Sequence, residues 1–386
     1  MRKPMMTSKS TIAILAILST SCLFADDEKG FRPLFNGKNL DGWVLVNTAP
    51  ATWTVKDNML ICSGKPIGEI RTNRMYQNFI MEVEWRHMVP KGNAGIFVWA
   101  DDITARGVPF HRSIEVQVLE NAYGNTRGYT THGDIFPIHG AKMTPINGRG
   151  GSRAFPTENR SNPSPEWNHY RITCIDGTIS LAVNGKVVTK GKECNPRKGY
   201  ICLESEGGIV HYRNMKIKEL PGAPVEDRYT AIANRGFRTL YTGLDLSGWV
   251  AVKDSGWQPS DWVLKYSPKG DADGTLTTKT EFSDFGFVFD YRHDAKSEPA
   301  TVLLRGKSIV LELDNENGVL AKHLPKPGGW VRIEGTLKGN QLTLSVNGKR
   351  VLNGKRMKDA AESGPISISP KGAIQFANLY ARDIKD

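Results

Sequence analysis

One pattern occurs twice in this chain, and the second occurrence is incomplete. Leu34-Phe-Asn-Gly-Lys-Asn-Leu-Asp-Gly-Trp-Val44 returns as Leu240-Tyr-Thr-Gly-Leu-Asp-Leu-Ser-Gly-Trp-Val250. Asn78-Phe-Ile-Met-Glu-Val-Glu-Trp-Arg-His87 returns as Asp284-Phe-Gly-Phe-Val-Phe-Asp-Tyr-Arg-His293, and Val183-Asn-Gly-Lys186 as Val346-Asn-Gly-Lys349. A period this long means two copies of one domain rather than a solenoid, whose units are about 20–50 residues. Residues on which the copies agree build the fold. Polar residues confined to copy one are the candidates for function.

Alternation of apolar and polar residues runs through both copies. In Phe79–His87, Met81, Val83 and Trp85 share one face and Glu82, Glu84 and Arg86 the other. Val116 and Val118 oppose Glu115 and Gln117, and Ile201 and Leu203 oppose Cys202 and Glu204. Asn184-Gly185, Asn347-Gly348 and Asp176-Gly177 lie between strand-like runs, as hairpin turns do. No helical stripe is sustained, and 39 Gly and 21 Pro among 386 residues suit many turns. The fold class is therefore all-β, with two antiparallel β-sandwich domains in tandem. The first is expected over 29–222 and the second over 237–386, joined by a linker over 223–236 whose start is marked by Pro221-Gly-Ala-Pro224. Glu115, Gln117, Glu204 and Arg71 are expected together on one solvent-facing sheet surface of copy one.

The first 25 residues read as an export signal: Arg2, Lys3 and Lys9, an apolar run Thr11–Leu18, and Ala25 before Asp26-Asp27. A lipid anchor at Cys22 is the weaker alternative, since Ser19-Thr20-Ser21 matches a lipobox poorly. The expected location is periplasmic or extracellular. The formal charge of +11 falls to +8 once those three cations leave. The remaining basic residues are scattered among acids, which excludes the basic stripe of a nucleic-acid binder. No later stretch reads as transmembrane. Cys62, Cys174, Cys194 and Cys202 all lie in copy one. Export permits disulfides, but three of the four sit within strand patterns, where a thiol serves as a small core residue.

Matching the copies position by position isolates what copy two lacks. Glu84 and Arg86 match Asp290 and Arg292, so the expectation at both places is a structural ion pair. Glu82 meets Val288, Glu69 and Arg71 meet Thr275 and Thr277, and Trp99 meets Arg305. Glu115 meets Val310, and Gln117 meets Glu312. Between Asn121 and Trp167 lie 45 residues; between Asn315 and Trp330 lie 14. The long loop holds His132-Gly-Asp-Ile-Phe-Pro-Ile-His-Gly-Ala-Lys142. It either covers a sheet edge or folds over the polar face and brings His139 and Lys142 to Glu115. A carboxylate with His132, Asp134 and His139 would also offer ligands to a divalent metal, although the spacing matches no standard site.

Glu115-Val-Gln-Val-Leu-Glu120 is similar to the E-x-D-x-x-E strand of laminarinase-type glycoside hydrolases. There two carboxylates flank the scissile bond. Here Gln117 stands at the central acid position and cannot titrate, and a bulge would be needed to bring Glu120 round to the same side. A wider resemblance spans all of copy one. Its residues are Leu34–Trp43, Glu84-Trp-Arg86, Asn93-Ala-Gly-Ile-Phe97, Glu115–Leu119, Glu166-Trp-Asn-His-Tyr-Arg171, Val183-Asn-Gly185 and Tyr212-Arg-Asn214. In order and spacing these resemble the 3-keto-disaccharide hydrolase domain family, with copy two a degenerate member. The resemblance implies a concanavalin A-like jelly roll, export, and action on 3-keto glycosides.

Such chemistry needs particular groups. A ketone at sugar carbon 3 acidifies the proton on carbon 2. A base removes that proton, the enolate expels the group on carbon 1, and water addition completes a net hydrolysis. Glu115 and His139 are the candidate catalytic groups. Arg71, Lys142 or a metal would hold the enolate oxygen, Gln117 and Glu204 would bind substrate, and Trp99 would stack on a sugar face unless it packs in the core. The implied partner is an oxidised glycoside. The alternative is a carbohydrate-binding module without catalysis, since one fold serves both.

Overall fold

The computed structural model describes residues 29–123, 132–314, 316 and 318–385. The export signal expected over 1–25 lies outside them. Two sandwiches follow one another, each made of two antiparallel sheets over its own core. In the first, a six-stranded sheet runs in the order Trp43–Val46, Gly68–Thr72, Tyr200–Ser205, Asn93–Ala100, Ser113–Leu119, Ile135–Ile138. It packs on a nine-stranded sheet with Phe79–His87 and Val210–Glu219 near its middle. Ile70, Ile96, Val116 and Leu203 from one sheet meet Met81, Val83, Trp85 and Ile217 from the other, all buried.

Among the described residues, the second domain repeats this order with one strand fewer in the corresponding sheet: Trp249–Ala251, Leu276–Phe282, Gly364–Pro370, Ala300–Leu304, Ile309–Glu312. The missing strand locates the long insertion of copy one. Its Ile135–Ile138 adds an edge strand beside Ser113–Leu119, and its Lys142–Pro145 adds one beside Lys186–Asn195 in the other sheet. The insertion thus seals one open side of the first sandwich by pairing with both sheets.

The three turn dipeptides have positive φ at both positions, as two-residue hairpins of this sheet twist require (Asn184 48°, Gly185 87°). All four described cysteines are free and buried, so they act as core and cleft thiols. The expected ion pairs form differently. Glu84 accepts from Arg213 at 2.7 Å and Asn214 at 2.8 Å, while Arg86 stacks over Trp167. Asp290 pairs with Arg332, while Arg292 donates to Gln375. Side chains directly across neighbouring strands, about 5 Å apart, meet more readily than second neighbours along one strand.

Residues 223–236 are no free tether. Arg197 N donates to Tyr229 O, Ala231 N to Lys198 O, Ile232 N to Asp101 and Arg235 N to Asp102, which lays the segment along the first domain. Val46 and Ile103 of the first domain then close an apolar contact with Val288 and Tyr380 of the second.

Candidate active site

The outward residues of the six-stranded sheet form two rows. In one, Arg71 neighbours Cys202, Cys202 neighbours Phe97, Phe97 neighbours Glu115, and Glu115 neighbours Phe136 of the insertion. In the next, Glu69 neighbours Glu204, and Gly95 neighbours Gln117. Strand alternation puts these four acids and amides on the face opposite the core. The face is not solvent-facing, however. Glu115 is 7% exposed, and Glu204, Gln117 and Arg71 are 2% exposed each. Loop 101–112, the strap at 232–235 and the insertion wall it in.

Gly95 is the floor of the site. A Cβ there would come within 3.0 Å of Glu115 Oε1 and 3.0 Å of Glu204 Oε2. The absence of that Cβ lets two carboxyl groups reach into the same space. Glu204 Oε2 is buried without a hydrogen-bond partner. Burial, then the neighbouring Glu206, Glu69 and Asp134, push Glu115 up to about 8, and Arg153 opposes them. Burial and then Glu115 and Glu206 hold Glu204 well above the ordinary carboxylate range. Glu206 is raised as well, chiefly by burial, and accepts from Asn93. Asn93 Oδ1 in turn accepts Gln117 Nε2 at 2.7 Å. Carboxyls this close disfavour one another's ionisation, so the cluster keeps its protons to higher pH than isolated carboxyl groups do.

Several expected site residues are placed or held differently from expectation. Trp99 does not face a sugar. Its φ of 56° and the register shift between Tyr200 and Cys202 break the alternation, and its ring turns into the core against Phe79. Its indole N–H donates to Gln77 O at 2.8 Å. The matching Arg305 has φ 49° and is equally buried, so this difference between the copies concerns how one kinked strand end is filled. Lys142 is exposed on the edge strand of the other sheet, not beside Glu115. His139 stands at the rim of the face, just past the end of Ile135–Ile138, exposed, its ring 6.5 Å from Phe110 and within electrostatic reach of Glu69 and His111. The protein packed round it lowers its pKa, with Glu69 opposing and His111 adding. Arg71 donates to Asp102 O, Thr72 O and Asn234, and so braces the strap. Glu120 is tied to the backbone N–H groups of Lys91, Ala122 and Ser164, away from the face.

The insertion does supply a cation, but it is Arg153. Its guanidinium pairs with buried Asp134 at 3.0 Å and lies over the Phe136 ring. Sequence reading gave no role to Gly95, His111 or Glu206, and it flagged Glu69 and Cys202 only by copy comparison and by face. His111 Nδ1 contacts Glu69, and Cys202 Sγ lies 3.7 Å from the same nitrogen. These three, rather than His132, Asp134 and His139, are the described donors that converge enough to hold a metal ion, their ligand atoms all lying within 4.8 Å of one another. Burial keeps the Cys202 thiol protonated, so a cation would have to displace that proton. One signal could have found His111. It belongs to the 100–112 loop, which copy two replaces with Gly306-Lys307.

A cleft of about 600 Å3 lies on the opposite sheet, lined by Phe31, Phe35, Glu82, Glu84 and His169. Its acids are already paired: Glu82 with Arg171, Lys216 and His169, and Glu84 with Arg213. It lacks the unpaired carboxyls of the walled face.

A sequence profile of a family described as the 3-keto-alpha-glucoside-1,2-lyase-like domain matches residues 30–218 and again 236–382. Among curated proteins none matches significantly. Among solved structures, a candidate glycosyl hydrolase from Parabacteroides distasonis ATCC 8503 is 23% identical and covers 53% of this chain and 99% of its own, at a TM-score of 0.39. A galectin-like protein of unknown function from Bacillus subtilis is 12% identical, covering 49% and 94%, at 0.37. A carbohydrate-binding module from Bacillus subtilis is 10% identical, covering 47% and 97%, at 0.33.

Proposed function

The chain belongs to the 3-keto-alpha-glucoside-1,2-lyase-like domain family, and from that premise we propose that its first domain cleaves 3-keto glycosides by elimination across sugar carbons 1 and 2. The observation that carries the reading is the pair of buried carboxyl groups, Glu115 and Glu204, meeting above Gly95.

The pair suits the reaction. Ionised Glu115 takes the carbon-2 proton, and its raised pKa makes it a stronger base than an ordinary carboxylate. The electrons pass to the carbon-3 oxygen as an enolate, which the Arg153 guanidinium can stabilise. The enolate then reforms the ketone, a double bond forms between carbons 1 and 2, and the bond from carbon 1 to the leaving oxygen breaks. Glu204, held protonated by its surroundings, gives that oxygen its proton. Addition of water to the double bond would complete a net hydrolysis. The substrate is an oxidised carbohydrate, and the place of action is outside the cytoplasm, as the sequence of 1–25 suggests.

The test is incubation of the whole chain with a 3-keto disaccharide and with its unoxidised parent. The reading expects the enone absorbance of the eliminated sugar, or its hydrate, from the 3-keto compound alone. Equal cleavage of both would overturn it, and binding of either sugar without turnover would leave a lectin-like protein in its place.

A further inference from the structure

The second domain has lost the carboxyl cluster, yet its opposite sheet carries a buried polar group that sequence comparison does not explain. Asp290 and Asn378 are fully buried. Arg332 makes a two-pronged pair with Asp290 at 2.7 and 2.8 Å, and Asn378 Nδ2 donates to the same carboxylate at 2.7 Å. Register places Asp290 opposite Arg332 as it places Glu84 opposite His169 in the first domain. Asn378 repeats the left-handed backbone of Asn214, φ 53° against 51°. The same sheet position is thus built twice. In the second domain it grips something.

What it grips is the backbone of loop 103–108 of the first domain. Arg332 donates to Thr104 O at 2.9 Å, and Asn378 Nδ2 to Ala105 O at 3.0 Å and Val108 O at 3.1 Å. Gly107 N donates to Asp290 Oδ2 at 2.8 Å. The Thr104 hydroxyl meets that of Tyr380 at 2.9 Å. Gly107 has φ +73°, and a Cβ on it would stand 2.3 Å from the Trp330 ring, so only glycine enters this socket. A buried acid needs such partners, because leaving it unpaired would cost several kcal/mol.

The returning limb of that loop forms the wall of the carboxyl face. Ala105 N donates to Phe110 O, which closes the turn. Phe110 then packs edge-on against Phe97 at 5.7 Å, and His111 meets Glu69 through both its backbone N–H and its ring. Copy two has no such loop, as it passes from Arg305 to Ser308 in two residues.

We propose that the second domain is a clamp on the active site of the first, with Asp290, Arg332 and Asn378 acting as positioning residues that fix Phe110 and His111 at the edge of the carboxyl cluster. The proposal rests on the function given above for the chemistry it serves, but not for the clamp itself. The loop's polar backbone is held from outside its own domain, so its geometry depends on the neighbour.

The test uses the full chain with Asn378→Ala, Arg332→Met and Gly107→Ala, against Asp261→Ala as control. The Asp261 side chain accepts Ile67 N across the same domain contact at 3.2 Å, while the loop hydrogen bond on this strand belongs to the next residue, Trp262, which donates to Gly107 O. Hydrogen exchange over 103–111 should quicken in the first three variants while the strands of both domains keep their protection. kcat/KM on a 3-keto disaccharide should fall about 10- to 100-fold, as loss of precise positioning does. Arg332→Lys should recover part of the loss. Asp261→Ala should change neither. The clamp is overturned if loop exchange stays at the native rate in the three variants, or if Asp261→Ala behaves as they do. If the native chain turns over no 3-keto glycoside, the exchange data still decide the clamp while the functional reading falls. Should Arg332→Met fail to fold, Gly107→Ala asks the question from the loop side.

Discussion

The two homologous sheets of this protein share strand order and register but carry opposite kinds of surface. In the first domain the two rows across the sheet read Arg71, Cys202, Phe97, Glu115 and Glu69, Glu204, Gly95, Gln117. In the second they read Thr277, Ser367, Leu303, Val310 and Thr275, Ser369, Thr301, Glu312. There the hydroxyls satisfy one another, Thr277 with Ser367 at 2.9 Å and Thr301 with Glu312 at 2.8 Å. The inward residues of both sheets remain largely apolar. Packing therefore sets the fold, and it leaves the outward face free to change. A crowd of buried carboxyls disfavours folding, because each charge loses water and repels its neighbours. Copy two has replaced them with self-satisfied hydroxyls. Copy one keeps them, which is the signature of a group retained for chemistry.

The sharpest way to break this comparison is to make the first face resemble the second. Glu115→Gln and Glu204→Gln should each lower turnover of a 3-keto disaccharide by about 100- to 10,000-fold, the usual worth of acid–base assistance. Melting temperature should not fall, since an amide fits the same space. Full activity in Glu115→Gln would remove that residue from the mechanism. The reverse change, Val310→Glu, should confer nothing, because Thr301 fills the place of Gly95 and Ser369 that of Glu204.

Filling the floor tests the same contrast sterically. Gly95→Ala places a methyl 3.0 Å from both carboxyl oxygens and 2.9 Å from the Phe97 ring. The backbone there is ordinary strand, so the cost is overpacking, about 1–3 kcal/mol. Activity should fall about 10- to 100-fold as the pair is pushed apart, whereas Thr301→Ala in the second domain should leave both activity and fold nearly unchanged. A fully active Gly95→Ala chain would show that the two carboxyls need not meet.

The charge cluster also predicts a difference in pH response. Glu115 is raised from 4.5 to about 8 in the folded chain, mainly by burial. Between those values the folded state binds more protons than the unfolded one, so stability falls as pH rises from about 4.5 to about 8 and levels off above. The Glu115 contribution should fall by on the order of a few kcal/mol over that window, offset below about 6.5 by His87, His132, His139 and His211, whose pKa values burial lowers. Glu115→Gln should flatten the slope, while the second domain shows little slope of its own. The check is denaturant unfolding of the full chain at several pH values, with a separate probe for each domain. A slope that is the same in the native chain and in Glu115→Gln would contradict the burial of the pair.

Alternation carried much of this in the sequence. It assigned Glu115, Gln117, Glu204 and Arg71 to one face, because period-two geometry is local and the apolar partners of each strand are unambiguous. The copy comparison pointed to Glu115 and to the long insertion for the same reason. Three things were illegible. Trp99 was misplaced because one left-handed residue at a register shift reverses every face assignment beyond it, and no composition marks it. Glu69, Glu204 and Glu206 converge from strands far apart in sequence, so their mutual electrostatics exist only once the sheet is built. Asp290 looked like the retained half of an ion pair along its own strand, when its partners are Arg332, Asn378 and a loop of another domain.

The smallest expected effects concern the insertion, and they separate two ways it could serve the first face. Its length and its His-Lys content suggested a flap that lays His139 and Lys142 over Glu115. Instead it runs as a strand beside Glu115, with Glu115 opposite Phe136, and then crosses to the other sheet. Its contribution to the cluster is Arg153, held by Asp134. Lys142→Ala should therefore be silent, and His139→Ala should change kcat/KM by no more than about threefold, since an exposed side chain beyond the strand end neither receives nor gives the reacting proton. Arg153→Met should lower activity far more, and should raise the Glu115 pKa further, because a cation that opposes its shift is gone. That rise is read as an alkaline displacement of the pH–rate profile. If His139→Ala instead matched Glu115→Gln in its loss, the flap geometry would be restored and Arg153 demoted to holding Asp134.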